Sequence, residues 1–309
     1  IITADYLHYA LALNESLVKH AKQADKLYVL DVQNKVNEKD LPGPLPSNIE
    51  VLHLNNLLKN NSQAREIYET YRNEERGMLR WALKPVLMAH LLETYDLCFY
   101  CDNDLYFYSE YEFLWDELAT SSVLLSPHWR TMNPFQTSAL EQKNFALNFY
   151  HGYFNAGFVG SSKQGTEILE WWSNCCKEYL NYRGFQGMRD DQTFLNFIPF
   201  NFENTKIITH RGCNVSEWNE KENPRKMTDD GLLIKGQPLV FAHFAASYKL
   251  AIEENRDPLM VELYLQWLQE LKRFEGFSTP YQKQENLQNK KSRMVSIKQI
   301  IYRAAKKIV

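Results

Sequence analysis

The apolar run Leu97-Cys98-Phe99-Tyr100-Cys101 ends abruptly in Asp102-Asn103-Asp104. Such a run reads as a buried strand, and in extended backbone residues two apart point the same way, so Asp102 and Asp104 aim at one point. Hard oxygen ligands there select Mg²⁺ or Mn²⁺, an ion that commonly holds the phosphates of a nucleotide rather than sitting in an all-protein cage. An isolated Asp-x-Asp is equally a polar turn after a strand, because Asp and Asn are ordinary turn residues. His243 also stands at the end of an apolar run, Val240-Phe241-Ala242. Its imidazole can complete a cation site and tilts the choice toward Mn²⁺, or it is simply a histidine satisfied in the core. Lys249, six residues on and read as part of a loop, can neutralise a diphosphate.

Two further segments carry groups suited to a polar ligand. In Tyr153-Phe154-Asn155-Ala156-Gly157-Phe158-Val159-Gly160, small residues follow an amide, which lets backbone approach a ligand while Asn155 both donates to and accepts from hydroxyls. In Arg189-Asp190-Asp191-Gln192 an acidic cluster stands at a helix start, where an acid is also a common cap.

These residues need a frame to bring them together. The chain has 309 residues, 44% hydrophobic and 14% aromatic, enough for a large core. Ile1-Ile2-Thr3 reads as the end of a first strand whose start lies before the sequence given. A helical pattern follows through Leu7, Ala10, Leu13 and Leu17, with Tyr6 and Val18 on the same face, and then a strand at 26–30. Pro42, Pro44 and Pro46 mark a loop. A strand at 49–54, helices at about 57–71 and 78–93, and the Asp102 strand come next. Later elements are strands at 122–125, 155–160, 206–209 and 238–241, and helices at 167–180, 192–197 (ended by Pro199) and 259–274. The alternation predicts an α/β fold with a mixed, mainly parallel sheet flanked by helices, where ligands bind outside the carboxyl ends of strands. Cys98 and Cys101, three apart on a strand, face opposite ways and make no Cys-x-x-Cys site. Five cysteines without small-scaffold spacing fit a reducing compartment.

The motifs as a set resemble GT-A glycosyltransferases. Thr3-Ala4-Asp5-Tyr6, Leu83-Lys84-Pro85, Tyr95-Asp96, Asp102-Asn103-Asp104 (a DXD motif), Phe154-Asn155-Ala156-Gly157, Asp191-Gln192 and His243 to Lys249 follow the order seen there. The resemblance covers residues 1–250 and is strongest to family 8 and related bacterial surface-polysaccharide enzymes. In that family the late motif is His-x-x-Gly-x-x-Lys, and Ala246 takes the Gly position here. Gly212 to Asn219 also resembles a stretch of the bacterial relatives.

The resemblance implies a metal-dependent hexosyltransferase acting on a nucleotide sugar, UDP-linked by preference. Asp102, Asp104 and His243 would bind Mn²⁺ or Mg²⁺ on the donor diphosphate, with Asn103 and Lys249 beside it. Asp5 and Tyr6 would lie against base or ribose, and Arg80 and Lys84 would reach the donor. Asn155, Asp191 and Gln192 would surround the transferred sugar. Retention is preferred, with Gln192 stabilising the oxocarbenium-like centre. Inversion with Asp190 or Asp191 as base is the alternative. A nucleotide-sugar phosphohydrolase or nucleotidyltransferase is disfavoured by the lack of a Gly-rich phosphate loop near the N-terminus, and a non-catalytic nucleotide- or glycan-binding module is the remaining reading.

The formal charge of −3 is uneven: residues 283–309 carry eight Lys or Arg against one acid, about +7, which leaves about −10 for the rest. The expected division is a catalytic domain over 1–250, a helical extension over 251–282 and a basic amphipathic tail over 283–309. Such a tail suits an anionic membrane surface, which implies a cytoplasmic protein peripheral on the inner face, where glycan or lipid-linked acceptors of lipopolysaccharide or other polysaccharide biosynthesis would be met. The acidic body argues against nucleic acid.

Overall fold

The structure is a computed structural model that describes residues 1–22, 25–74, 77–135, 137–180 and 190–282. Arg189 and the basic tail lie outside the described residues. Strands are β1 (Leu27–Asp31), β2 (Ile49–His53), β3 (Leu97–Cys101), β4 (Leu105–Phe107), β5 (Val123–Pro127), β6 (Phe154–Ser162), β7 (Thr205–Ile207), β8 (Arg225–Thr228), β9 (Gly231–Ile234), β10 (Gln237–Pro238) and β11 (Phe241–His243). Helices are α1 (Leu7–His20), α2 (Leu54–Asn60), α3 (Ser62–Tyr71), α4 (Met78–Leu92), α5 (Glu112–Ala119), α6 (Ala139–Tyr150), α7 (Thr166–Tyr179), α8 (Ile198–Asn201), α9 (Ala246–Glu253), α10 (Val261–Arg273) and α11 (Glu275–Ser278).

The expected α/β architecture is present, with more antiparallel pairing than the alternation of elements suggested. Parallel pairs are β1–β2 and β5–β7, whereas β3–β6, β5–β6, β4–β11 and the ladder β10-β9-β8 are antiparallel. Ile2 adds a parallel bridge to Asp31, as its strand character predicted. The sheet β3-β6-β5-β7 is covered on one face by α4 and α7, through Leu83, Val86, Leu87, Leu169 and Trp172. Its other face meets Leu114 and Leu118 of α5 with Phe107 of β4 and Phe241 of β11. Every residue of β6 is therefore buried, and burial on both faces explains why its sequence is apolar or small apart from Asn155.

Local chemistry adjusts several boundaries. The single helix expected at 57–71 is two, because Asn61 takes extended backbone and its side chain accepts from Ala64 N (2.8 Å), capping α3. Pro199 does not end the preceding 3₁₀ turn Asp191–Phe197. It sits in the first turn of α8, where its missing N–H costs nothing. The strand expected at 238–241 is split, with Pro238 closing β10 and Phe241 opening β11 in another sheet. Lys249 lies in α9 rather than in a loop. Trp172 is buried while Trp171 only partly packs, and Tyr6 and Val18 are exposed rather than on the buried face of α1.

The C-terminal helices pack onto the body. Trp267 of α10 is buried against Phe244 (4.6 Å between ring centroids) and Tyr9 (5.7 Å), and Ser278 is bonded to His8 N (2.9 Å).

Candidate active site

Strand register assembles the carboxylates and the imidazole. The turn Asp102–Asp104 joins β3 to β4, and β4 pairs with β11 so that Leu105 faces His243. Phe244 N donates to Asp104 O (2.9 Å), locking the turn to the end of β11. His243 Nε2 then lies 3.1 Å from Asp104 Oδ1. One ligand atom from each of Asp102, Asp104 and His243 falls within 4.8 Å of the others. The other ring nitrogen of His243 faces Asn214 Oδ1 (3.4 Å), and Asn214 Nδ2 donates to Pro127 O (3.1 Å), so Nδ1–H points at an oxygen held in place. That leaves Nε2 to carry either a proton or a cation toward Asp104, the orientation a ligating histidine needs.

Electrostatics agree with a cationic occupant between these groups. Burial works against the charge on Asp104, but His243 and Lys249 outweigh it and hold the carboxyl below its ordinary range. Burial likewise opposes charge on His243, yet Asp104 and Asp102 raise its pKa despite the opposing Lys84. The donor set of two carboxylates and one imidazole fits Mn²⁺ or Mg²⁺. Space fits as well: a Cβ at Gly157 would stand 2.6 Å from Asn155 Oδ1, 2.6 Å from His243 Cε1 and 2.9 Å from Asp102 Oδ2. Only glycine lets β6 pass this close.

The β5–β6 ladder breaks at the same place. Leu125 faces Val159 and Ser126 faces Asn155, so Ala156, Gly157 and Phe158 have no partner in β5. Such irregularities re-aim backbone beside functional sites. Gly157 O accepts from Asp102 N (2.7 Å), and Ala156 O accepts from Lys84 Nζ (3.2 Å).

Lys84, buried on α4, is the electrostatic centre of this wall. Its ammonium lies 3.0 Å from Asp191 Oδ2 and 3.5 Å from Asp102 Oδ1, above the ring of Tyr100 (4.9 Å). Burial opposes the charge, but Asp102 and Asp191 more than restore it and Lys84 stays an ammonium. Asp191 is buried strongly enough to be pushed up to about 6, with Lys84 pulling the other way. Tyr100 OH donates to Asp102 Oδ1 (2.8 Å).

Asn155 is oriented by its neighbours. His128 Nδ1 faces Tyr153 O (3.2 Å), a group that only accepts, so Nδ1 carries the proton and Nε2 accepts from Asn155 Nδ2 (3.0 Å). Burial, reinforced by Arg130, keeps His128 well below its usual pKa and hence neutral. Asn155 Oδ1 accepts from Gly157 N (2.7 Å). Asp190 binds His151 Nδ1 (2.5 Å), Gln192 Nε2 (3.3 Å) and Thr193 Oγ1 (2.7 Å).

Asp102, His243, Lys84, Asn155, Asp191 and Gln192 all line one cleft of about 1200 Å³, together with His128, Arg130, His151 and Trp218. Asp5, Tyr6, Arg80, Asn103, Asp104 and Lys249 are not part of its wall; Asp104 stands just behind it, against the Asp102 and His243 ligand atoms. Tyr6 lies on the surface against Tyr9 (5.2 Å), whose ring Lys249 Nζ approaches at 5.9 Å, and Asp5 sits beside Tyr6. Arg80 folds back over Gly77 at the start of its own helix. Asn103 occupies the turn between the two carboxylates.

Sequence reasoning did not single out His128, Arg130 or His151, nor give Asn214 a role. The signal available for the first two was the dense His128-Trp129-Arg130 run shortly after the apolar Val123-Leu124-Leu125 stretch.

No family model matches the chain. It is similar to the uncharacterized proteins YfnF and YfnD of Bacillus subtilis (strain 168). With YfnF it shares 27% identity over 203 residues, 61% of this chain and 66% of that protein; with YfnD, 24% over 254 residues, 79% and 76%. The chain thus matches just under two thirds of the length of YfnF. Among solved structures it is similar to apo mouse xyloside xylosyltransferase 1, with a TM-score of 0.48 and 14% identity over 79% of this chain and 94% of that one. It is also similar to the galactosyltransferase LgtC in complex with donor and acceptor sugar analogues, with a TM-score of 0.46 and 18% identity over 78% of this chain and 83% of that one.

Proposed function

We propose that the chain is a metal-dependent glycosyltransferase that moves a hexose from a nucleotide sugar, UDP-linked by preference, to a cell-surface glycan or its lipid-linked precursor. The observation that carries this reading is convergence. Motifs around residues 84, 102, 155, 191 and 243, far apart in sequence and matching a glycosyltransferase pattern in order, meet in one cleft.

Asp102, Asp104 and His243 would hold Mn²⁺ or Mg²⁺ on the donor diphosphate, with Asn103 shaping the turn between the carboxylates. Once bound, the cation supplies Lewis-acid stabilisation of the charge on the departing nucleotide. Lys249 adds positive potential on the same side, as its effect on Asp104 indicates. Tyr6 and Asp5, on the Lys249 side of the molecule, supply a surface for base and ribose. Arg80 stands at the start of the helix that carries Lys84, with its guanidinium beside Gly77, and would turn from there toward the donor.

At the sugar end Lys84 keeps Asp102 and Asp191 apart in function. Its single charge lies between the two carboxylates and offsets part of their charge, which lessens the repulsion between Asp191 and the donor phosphates. Asn155 and Gln192 offer amides to the sugar. Retention is favoured over inversion, because the Asp190 carboxylate already serves three donors and Asp191 is engaged by Lys84, leaving neither as a free base.

The test is release of nucleoside diphosphate from UDP-, GDP- and dTDP-hexoses with Mn²⁺, with and without EDTA. Cleavage of one donor that EDTA abolishes supports the proposal, and anomeric analysis of the product assigns retention or inversion. Cleavage unaffected by EDTA, or no cleavage of any donor across a panel of glycan acceptors, contradicts it. The membrane role of the tail is a separate proposal, tested by liposome flotation of the full chain against a form ending at Gln282. Equal flotation removes it.

A further inference from the structure

Arg130 presents a buried charge that its own fold does not neutralise. Its side chain lines the cleft while the residue is only 6% exposed. Nη1 donates to Gly152 O (3.2 Å), but Nε is buried without a partner, and among the described residues no carboxylate lies within ion-pair distance. The two acids that act on it through space are engaged elsewhere: Asp190 with His151, Gln192 and Thr193, and Glu217 with Ser216 Oγ (2.8 Å).

Burying a guanidinium without a counter-charge is costly, and a fold that keeps one has a reason outside its own stability. Trp218 supplies the second observation. Its ring lies 5.8 Å from the guanidinium carbon and 5.4 Å from each of the His128 and His243 rings, and its indole Nε1 is also buried without a partner. A guanidinium without a counter-charge and with an unpartnered Nε therefore shares one wall with an unpartnered indole N–H, beside the Asp104–His243 pair.

We infer that Arg130 and Trp218 form a subsite for an oxyanion, a carboxylate or phosphate carried by the sugar being transferred or by the acceptor. This rests on the glycosyltransferase reading and names the class of sugar that the site takes. A guanidinium matches the planar fork of a carboxylate and the edge of a phosphate, and the indole N–H adds a neutral donor. The anion supplies the missing counter-charge, so binding it removes a penalty as well as adding hydrogen bonds.

The experiment measures affinity by calorimetry with Mn²⁺ for three matched pairs. UDP-glucuronate against UDP-glucose tests the donor as source. Methyl glucuronide against methyl glucoside, with UDP present, tests an acidic acceptor, and glucose 6-phosphate against glucose tests a phosphorylated one. The expected result is a preference of about tenfold or more for the charged member of at least one pair. Arg130→Gln should erase that preference while UDP itself binds as in the wild type, and Trp218→Phe should weaken it.

Wild-type protein that binds UDP with Mn²⁺ but shows no charge preference in any pair overturns the subsite and leaves the transferase reading intact. A preference that survives in folded Arg130→Gln overturns it too, as does a loss of UDP affinity in that variant equal for all ligands, which assigns Arg130 to the diphosphate. If Arg130→Gln does not fold, the wild-type pairs and Trp218→Phe decide. Failure of UDP to bind with Mn²⁺ at all indicts the proposed function instead.

Discussion

The two ends of the cleft are built differently. At the end formed by Asp102 and His243, His243 and the neighbouring Asp104 are placed by main-chain register, with β4 and β11 locked side by side and β6 passing at Gly157. At the opposite end, Asp190, Asp191 and Gln192 open a 3₁₀ turn and owe their positions to side-chain bonds with His151, Thr193 and Lys84. A site held by strands is fixed before any ligand arrives. One held by polar side chains depends on every member of its network. The first arrangement suits a constant task such as gripping phosphates, and the second suits a task that changes with the sugar.

The largest losses are expected at the rigid end. Asp104→Ala removes one of three converging ligands and should lower metal-dependent donor cleavage by about a thousandfold. A variant within a few-fold of wild type would show that the cluster is structural only. Gly157→Ala should follow, because its Cβ cannot fit without displacing Asn155, His243 or Asp102. Shifts of this size cost about a hundredfold in rate, measured as kcat/KM for donor cleavage with saturating Mn²⁺.

Lys84→Met probes the link between the two ends. It leaves Asp102 and Asp191 facing each other without the shared cation and should destabilise the protein by about 3 kcal/mol in denaturant titration at pH 7. Much of that loss should be recovered in Lys84→Met with Asp191→Asn, since one of the orphaned charges is then gone.

The smallest effect sharpens the view of Asp191. Its folded-state pKa of about 6 lies above its ordinary value of 3.8, so between those values the folded protein holds the proton more tightly than the unfolded chain. The contribution of this group therefore makes stability fall as pH rises from about 4 to about 6, and it is flat above. Thermal melts of wild type and Asp191→Asn across pH 4–7 should differ by this slope. Identical slopes would show that Lys84 holds Asp191 ionised throughout.

Legibility followed the same division. The carboxylates and His243 were readable because strand ends and period-two spacing are local features, and β4–β11 pairing then joined them. The network at the other end was less readable, since the tie of His151 to Asp190 and of His128 to Asn155 spans 39 and 27 residues and leaves no periodic trace. Lys84 was picked out as a donor contact, yet its pairing with Asp191 needs α4 to pack beside β6, which no spacing reveals. The misplacement of Lys249 in a loop has a simple cause: Ala245 starts α9 without a side-chain cap, so no sequence signal marks the helix.

The proposed function turns on a divalent cation held by Asp102, Asp104 and His243 that in turn holds a nucleoside diphosphate. Its most direct test is calorimetric titration of UDP into wild type and Asp104→Ala, each with Mn²⁺ and with EDTA. The expected result is binding by wild type with Mn²⁺ that is lost in EDTA and lost in the variant under both conditions. UDP affinity that is the same with Mn²⁺, with EDTA and in the variant would contradict the claim.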